Sequence, residues 1–550
     1  MSAKESSGHD FSFAEVFFAL ADEFSDEPAF IAGDQVVSWS HLSHDVSSFA
    51  TFLRSHGIGS RIPREQLANH ESGQDHVAIC MYNSVDYMSV YLGACAARGA
   101  PLNVNYKYTA EELKYLLHDS DSRVLIYDSA FAEVVSDAVN SLDTPIILIE
   151  NTSSQQAPSL KNAVPLSTCF NISPIDSATF VEDVSPDDIV LLYTGGTTGM
   201  PKGVIWTQKD LFVQALGGRN FRDGGREWES LSELIDSVRK RRSQRLMPAC
   251  PFMHGTGLWT ALQTLFGGGV VVLPRDTTKF DPADALDTIA RHEVVTLVIV
   301  GDAFFRPIVG ELRTTPRELS SLRFIISSGA AISEANKQAM ATLLPHLVLK
   351  NVVGSSESGP QAEESDTDDF SPRPGAAILS EDRSKLIEAH AGEIGWLASS
   401  GHIPLGYLGD FEKSKMTFPI VDGVRYSIPG DRVESLGHGR FRFLGRDSMT
   451  INTGGEKVFA EEVEEALKSH PSVEDVLVVG RSSERWGKEI VAVVSLKVDA
   501  VPFDELLSAA ATKIARYKLP KAIVTVDKVF RSPAGKGDYR WALSVAEAAS

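Results

Sequence analysis

The sequence predicts an α/β fold, with a large N-terminal domain of several mixed sheets with covering helices and a small C-terminal α/β domain. Three observations predict it. Short apolar runs alternate with helix-period segments through most of the chain, as they do where parallel or mixed sheets are covered by helices. At 550 residues the chain is too long for one simple hydrophobic core, and about 100 to 200 residues per domain suggests three or four structural units. After Gly445-Arg446-Asp447-Ser448 the texture changes to a compact stretch of about a hundred residues, enough to fold on its own. The domains are therefore placed at 1–446 and 447–550.

In chain order, the apolar runs at 77–81, 124–127, 146–149, 189–193, 270–273, 296–300, 324–326 and 347–353 read as strands, and the amphipathic stretches at 87–97, 111–118 and 282–291 as helices. Two polar or Gly-rich stretches, 61–75 and 217–245, interrupt the rhythm and read as surface excursions, the second with its own helix. The last hundred residues read as helix 461–469, strand 476–479, strand 490–496, helix 503–514 and strand 522–526. No internal repeat or low-complexity tract is visible.

Apolar residues make up 43% of the chain and charged residues 23%, an ordinary globular composition. With 52 basic against 73 acidic residues the formal net charge is -21, which disfavours non-specific nucleic-acid binding, because that needs clustered Lys and Arg. The one basic cluster, Arg239 to Arg242 with Arg245, follows Leu231, Leu234, Ile235 and Val238 at helical spacing and reads as a helix's solvated end. The cysteines Cys80, Cys95, Cys169 and Cys250 form no Cys-x-x-Cys pair, and Cys250 with His254 lacks further metal ligands, so all four read as free thiols of a reducing compartment. The first residues show no apolar signal core, and no segment reaches the roughly 18 to 20 apolar residues that span a bilayer. A cytoplasmic protein with at most peripheral membrane contact is expected.

The most distinctive stretch is Tyr193-Thr194-Gly195-Gly196-Thr197-Thr198-Gly199-Met200-Pro201-Lys202-Gly203, directly after an apolar run. A strand followed by such a turn lets backbone N–H groups and threonine hydroxyls converge on phosphate oxygens, and Lys202 adds a point charge. A Gly-rich surface turn is the plainer alternative. The nucleoside-triphosphate loop G-x-x-x-x-G-K-[ST] is excluded by spacing: the sixth position from Gly195 is Met200, from Gly196 it is Pro201, and Gly203 follows Lys202.

The stretch resembles the phosphate-binding signature Y-T-S-G-T-T-G-x-P-K-G of the adenylate-forming superfamily, which comprises acyl-CoA synthetases, peptide-synthetase adenylation domains and firefly luciferase. Gly195 stands where serine is usual. Further matches follow in order. VGSSESG at 353–359 resembles Y-G-x-T-E, with Ser356 for threonine and Glu357 in the metal-binding place. GEIGWLASSGHIPLGY at 392–407 resembles a second family segment, and YSIPGDRV at 426–433 keeps the Gly-Asp pair that puts Asp431 on the ribose. GRDSMTINTGGEKVFAEEVE at 445–464 resembles the hinge, with Arg446 on the nucleotide and the pivot at Asp447 or Ser448, about which the small domain is mobile. RSPAGKGDYR at 531–540 nominates Lys536 as the catalytic lysine.

The resemblance implies activation of a carboxylic acid by ATP, with coenzyme A as the second substrate. Two anions must meet, so positive charge and preorganised donors are the main need. Thr194, Gly195, Gly196, Thr197, Thr198, Gly199 and Lys202 would grip the β and γ phosphates. Glu357 would hold Mg²⁺, and Lys536 would stabilise charge between carboxylate and α-phosphate. Gly329 and Ala330, in SSGAAI at 327–332, would run along adenine, Ser356 would help bind the nucleotide, and Val353 replaces the usual stacking aromatic. His254 in PFMHGTG occupies the gating place between nucleotide and acyl pocket, and Gly454-Gly455 would border the pantetheine path. Trp259, residues 300–303 and Ser328-Gly329 are candidate pocket wall.

Phrases such as NVNYKYT at 103–109 and RYKLPKAIV at 516–524 resemble a narrower group of actinobacterial long-chain and steroid-side-chain CoA synthetases. The expected partners are a hydrophobic carboxylic acid, ATP and CoA, with room for a homodimer. Loading of a carrier protein's phosphopantetheine, a luciferase-type oxygenase and a catalytically dead nucleotide binder are the alternatives.

Overall fold

The computed structural model describes residues 10–549 apart from 141, 143, 153–157, 159, 195–200, 222, 241–243, 331, 366–368, 388–391, 438, 447–448, 454–455, 484–486, 498–500, 515 and 533–534. The chain forms two compact units: Met1–Ile299 with Arg317–Ile325 and Gly401–Phe418, and Val300–Pro316 with Ile326–Ser400 and Pro419–Ser550.

The first unit is built on two sheets. One runs Gly406–Tyr407, Lys202–Thr207, Ile189–Thr194, Ala100–Asn103, His76–Cys80, Ser122–Asp128, Ile147–Asn151, Val164–Pro165. Its strands are parallel from Ile189–Thr194 onward, whereas Lys202–Thr207 and Gly406–Tyr407 are antiparallel additions. Buried on both faces, these strands read as continuous Val, Ile and Leu runs rather than alternating ones, which is why they were legible. The other sheet carries Gln35–Ser38, Pro28–Ala32, Val270–Leu273, Arg245–Pro248 and Thr296–Ile299.

The covering helices begin where the local chemistry favours them. Ser84 caps Val85–Ala96, Thr109 and Glu112 close a capping box on Ala110–Asp119, and Asp281 with Pro282 starts Pro282–Arg291. The stretch 217–245 contains the short hairpin Arg219–Asn220 and Arg226–Glu227, then the helix Leu231–Arg239, which buries Leu234 and Val238 and pairs Arg239 with Glu23 at 2.7 Å.

The second unit holds an antiparallel sheet ordered Val348–Ser355, Gly359–Glu364, Phe370–Pro372, Arg440–Arg446, Asp431–Gly437, Ile394–Ser400, Val424–Ser427 and Ile420–Val421. It also holds a five-stranded sheet from residue 450 onward, whose spine is the long hairpin Val473–Ser483 and Gly487–Leu496. Alternate residues of this hairpin feed two cores. Val476, Val478, Ile490, Ala492 and Val494 pack on Ala460–Lys468 and Phe503–Ala510, and Leu477, Val479, Val491 and Val493 pack against Tyr539–Ala548.

Candidate active site

In the first unit the candidate phosphate loop joins two antiparallel strands, with Thr194 opposite Lys202 and Tyr193 opposite Gly203. Residues 195–199 themselves lie outside the described residues. Gly203 is required by packing, since a Cβ there would come within 2.7 Å of the Tyr193 ring. Tyr193 is held at its far end by Asp119, which accepts its hydroxyl at 2.8 Å. The half-buried Lys202 ammonium stands 3.3 Å from Asp410.

His254 caps the helix Gly255–Phe266 by position, and Gly257 lets that helix start against the Pro251 carbonyl, which a Cβ would meet at 2.5 Å. Two buried asparagines, neither nominated from sequence, fix this segment. Asn83 donates to the Cys250 carbonyl at 3.0 Å and accepts from the Phe252 N–H at 2.6 Å. Asn103 accepts from the Tyr193 N–H at 2.9 Å, donates to the Tyr193 carbonyl at 3.2 Å, and also donates to the Met253 carbonyl. One amide thus ties the strand entering the phosphate loop to the residue before His254.

The segment 401–418 of the same unit is pinned by His402, whose Nδ1 lies 2.8 Å from Asp210 and Nε2 3.0 Å from Glu227. A ring facing carboxylates on both sides satisfies both only as imidazolium. Burial would lower its pKa, but Asp210 and Glu227 outweigh burial and raise it. A raised folded-state pKa gives stability that is complete below the unfolded value and fades as pH rises through the folded one. His402→Gln should therefore melt a few degrees below the parent at about pH 6 and converge with it in alkali; parallel melting curves across that range would refute the bridge.

In the second unit, Glu357 sits in the turn Ser356-Glu357-Ser358 between two paired strands, with Ser355 opposite Gly359. Ser355 and Ser358 hydroxyls, 3.1 Å apart, brace the turn, and Ser427 Oγ donates to the Glu357 carbonyl. This bond ties Glu357 to the chain just ahead of Asp431, which is buried at the start of Asp431–Gly437 with its Cα opposite that of Arg446. Asp447, Ser448, Gly454 and Gly455 lie outside the described residues.

Ser327, fully buried, accepts from the Gly301 N–H at 2.9 Å and donates to the Ala330 carbonyl at 2.8 Å, so the loop with Gly329 and Ala330 is anchored to the start of the helix Gly301–Thr314. Gly535 approaches the same helix start: a Cβ on it would stand 3.0 Å from the Val300 carbonyl and 3.1 Å from the Ala303 Cβ. Lys536, beside it, is exposed, and its backbone is hooked to Ser532 by bonds of 2.7 and 3.2 Å. Arg531 anchors Gly535, the residue before Lys536. Its guanidinium donates to Asp475 at 2.6 and 2.7 Å and to the Gly535 carbonyl at 3.2 Å. Burial would raise the Asp475 carboxyl, but Arg531 and Lys468 outweigh it and hold the group at about 2.

Residues 17–403 match the AMP-binding enzyme family, and residues 462–536 match the AMP-binding enzyme C-terminal domain. The chain is 40% identical to the medium-chain acyl-CoA ligase Mig of Mycobacterium avium, over 97% of this chain and 98% of that protein. It is 36% identical to a 3-oxocholest-4-en-26-oate–CoA ligase of Rhodococcus rhodochrous, over 92% and 90% of the two. Its fold resembles that of the anthranilate CoA ligase AuaEII in complex with anthranoyl-AMP, with a TM-score of 0.80 at 19% identity over 98% of each chain. By these matches, which run through nearly its whole length, the chain belongs to the AMP-binding enzyme family.

Proposed function

We propose that the protein is an ATP-dependent ligase that joins a hydrophobic carboxylic acid, a medium- or long-chain fatty acid or a steroid side-chain acid, to coenzyme A. The observation that carries this reading is end-to-end similarity to two such ligases, at 40% and 36% identity, in a chain that keeps Lys202, Glu357, Asp431, Arg446 and Lys536.

In the first step the carboxylate attacks the α-phosphorus of ATP, an acyl–phosphate bond forms, and pyrophosphate leaves. Thr194, Lys202 and the loop 195–199 grip the departing phosphates. Lys536 stabilises the charge shared by carboxylate and α-phosphate, Asp431 accepts the ribose hydroxyls, Arg446 and Ser356 meet the nucleotide, and Gly329 and Ala330 line adenine. In the second step the CoA thiolate attacks the acyl carbon, a thioester C–S bond forms, the acyl C–O bond to phosphate breaks, and AMP leaves with that oxygen and its electron pair. For that step the domain 447–550 turns about Asp447 or Ser448, withdrawing Lys536 and presenting Gly454-Gly455, with His254 gating the path.

Among the described residues no cluster of three His, Cys, Asp or Glu side chains is placed to hold a metal ion. One carboxylate in a serine-braced turn, as at Glu357, fits a Mg²⁺ that keeps its waters and the nucleotide's phosphates as other ligands, where it would neutralise phosphate charge. The four buried, unpaired thiols suit a cytoplasmic enzyme, and no helix among the described residues is long and apolar enough to cross a membrane. A homodimer and peripheral membrane contact are compatible with the same reading.

A panel of fatty and steroid carboxylates, scored by acid-dependent AMP release with CoA or with phosphopantetheinyl carrier proteins, tests the reading. AMP and an acyl-CoA are expected with at least one class of acid. Release with carriers alone, or ATP binding without any acid-dependent release, would overturn it.

A further inference from the structure

We propose that Asp410 is a positioning residue for the phosphate-loop lysine, holding the Lys202 ammonium in the orientation in which it meets the phosphates of ATP. This rests on the ligase reading above. Lys202 alone carries a nominated role, and nothing in the motif that contains it specifies a partner. The partner comes from 208 positions further along the chain, delivered by backbone pairing.

Gly406–Tyr407 pairs antiparallel with Lys202–Thr207, Gly406 opposite Ile205 and Tyr407 opposite Val204. The Leu405 N–H donates to the Ile205 carbonyl and the Leu408 N–H to the Gly203 carbonyl, both at 2.8 Å. This register runs the segment back toward Lys202 and sets the Asp410 carboxylate 3.3 Å from its Nζ. Asp410 has little freedom of its own. Its Oδ1 caps the helix Phe411–Thr417 by accepting the Lys413 N–H at 3.0 Å. Ser414 Oγ donates to the Asp410 carbonyl at 2.6 Å and accepts the Tyr407 N–H at 2.8 Å, closing the turn on itself. Burial works against the Asp410 charge, but the Lys413 N–H and Lys202 outweigh it and hold the carboxyl below its usual range.

A free lysine in a phosphate loop would lose its rotamer freedom at the moment of binding; one already clamped has little left to lose. The ammonium has three donors, so one can stay on Asp410 while two turn to phosphate oxygens. The opposing effect is repulsion between the carboxylate and the phosphates. The Asp410 side chain is only 26% exposed and its second oxygen is spent on the helix cap, so its charge is largely answered before the nucleotide arrives. The orienting effect is therefore the larger.

The test separates the clamp from the cap, because Asn caps a helix about as well as Asp. Asp410→Asn removes only the charge and Asp410→Ala removes both. The expected result is that Asp410→Asn keeps the parent's melting temperature and its kcat for acid-dependent pyrophosphate exchange to within about twofold, while KM for ATP rises about five- to tenfold. Asp410→Ala should show the same KM and a lower melting temperature. In a Lys202→Ala background the Asp410→Asn change should add nothing, as expected of two groups acting through one contact. An unchanged or lower KM in Asp410→Asn, or an effect fully additive with Lys202→Ala, overturns the proposal. Calorimetric titration of ATP onto the same variants reads the same ratio as a dissociation constant without an acid substrate. A failure of the acid panel is thereby kept distinct from a failure of the clamp.

Discussion

Lys536→Ala is expected to lower acid-dependent pyrophosphate release by about two to three orders of magnitude, the size of effect found when one preorganised donor is taken from a charge-developing transition state. The side chain is exposed, so its removal disturbs no core and the melting temperature should stay that of the parent. The second half-reaction supplies the contrast. If Lys536 acts only while pyrophosphate leaves, a chemically prepared acyl-adenylate offered with CoA should be converted to thioester by the variant at close to the parent's rate. Equal loss in both half-reactions would mean that the lysine supports the fold of its loop rather than the chemistry. Retention of pyrophosphate release would remove the role altogether.

Asp475→Asn should produce the largest stability change. Arg531 and Asp475 form a bidentate pair at 2.6 and 2.7 Å, with side chains only 20% and 14% exposed. Removing one partner of such a pair leaves a part-buried charge unanswered, at a cost of about 3 kcal/mol. The pKa gives an independent figure. An Asp475 carboxyl at about 2 against a usual 3.8 corresponds to about 2 kcal/mol, present above the unfolded value and lost as pH falls through the folded one. Denaturant melts at pH 7 and at acid pH should show a destabilised variant whose deficit shrinks as the parent's own pair is titrated. Because Arg531 also supports the Gly535 carbonyl, adenylation should slow about tenfold through misplacement of Lys536, with conversion of acyl-adenylate less affected. A variant with parental stability and rate would show that the pair is ornamental.

The fold class and the chemistry were both legible in short segments. Strands such as His76–Cys80, Ile189–Thr194 and Val270–Leu273 declare themselves because each carries a continuous apolar run that is buried, and the candidate phosphate loop, Glu357, Asp431 and Lys536 sit in contiguous motifs. The helices Phe13–Glu23 and Trp39–Ser55 carry no clear sequence signal: the first is apolar through most of its circumference, and the second mixes eight Ser, Thr and His residues with its apolar stripe, so neither shows a clean period. The residues that hold the site were illegible for a different reason. Asn103 reaches Tyr193 and Met253 across 90 and 150 positions, and Arg531 reaches Asp475 across 56. A lone asparagine in a strand, or an arginine in a loop, carries no local signal of a partner so far away. His402, like Asn103 and Arg531, lies within a segment that resembles the family, yet only its two facing carboxylates give it a role.

The long hairpin of the second unit gives the small domain proposed at 447–550 the properties of a lever rather than of a joint. Near one end Asp475 grips the loop that carries Lys536; at the other, Gly487 pairs with Thr453, immediately before Gly454-Gly455. About eight residues of strand separate the two, a span of roughly 27 Å. Because Leu477, Val479, Val491 and Val493 are sealed into one core and Val476, Val478, Ile490 and Ala492 into another, bending the hairpin would disturb packing on both of its faces. A small rotation at one pivot would therefore sweep both ends through long arcs with no internal rearrangement. On the hinge proposed above, the lysine and the glycine pair would be geared together, with one withdrawn by the same stroke that brings in the other.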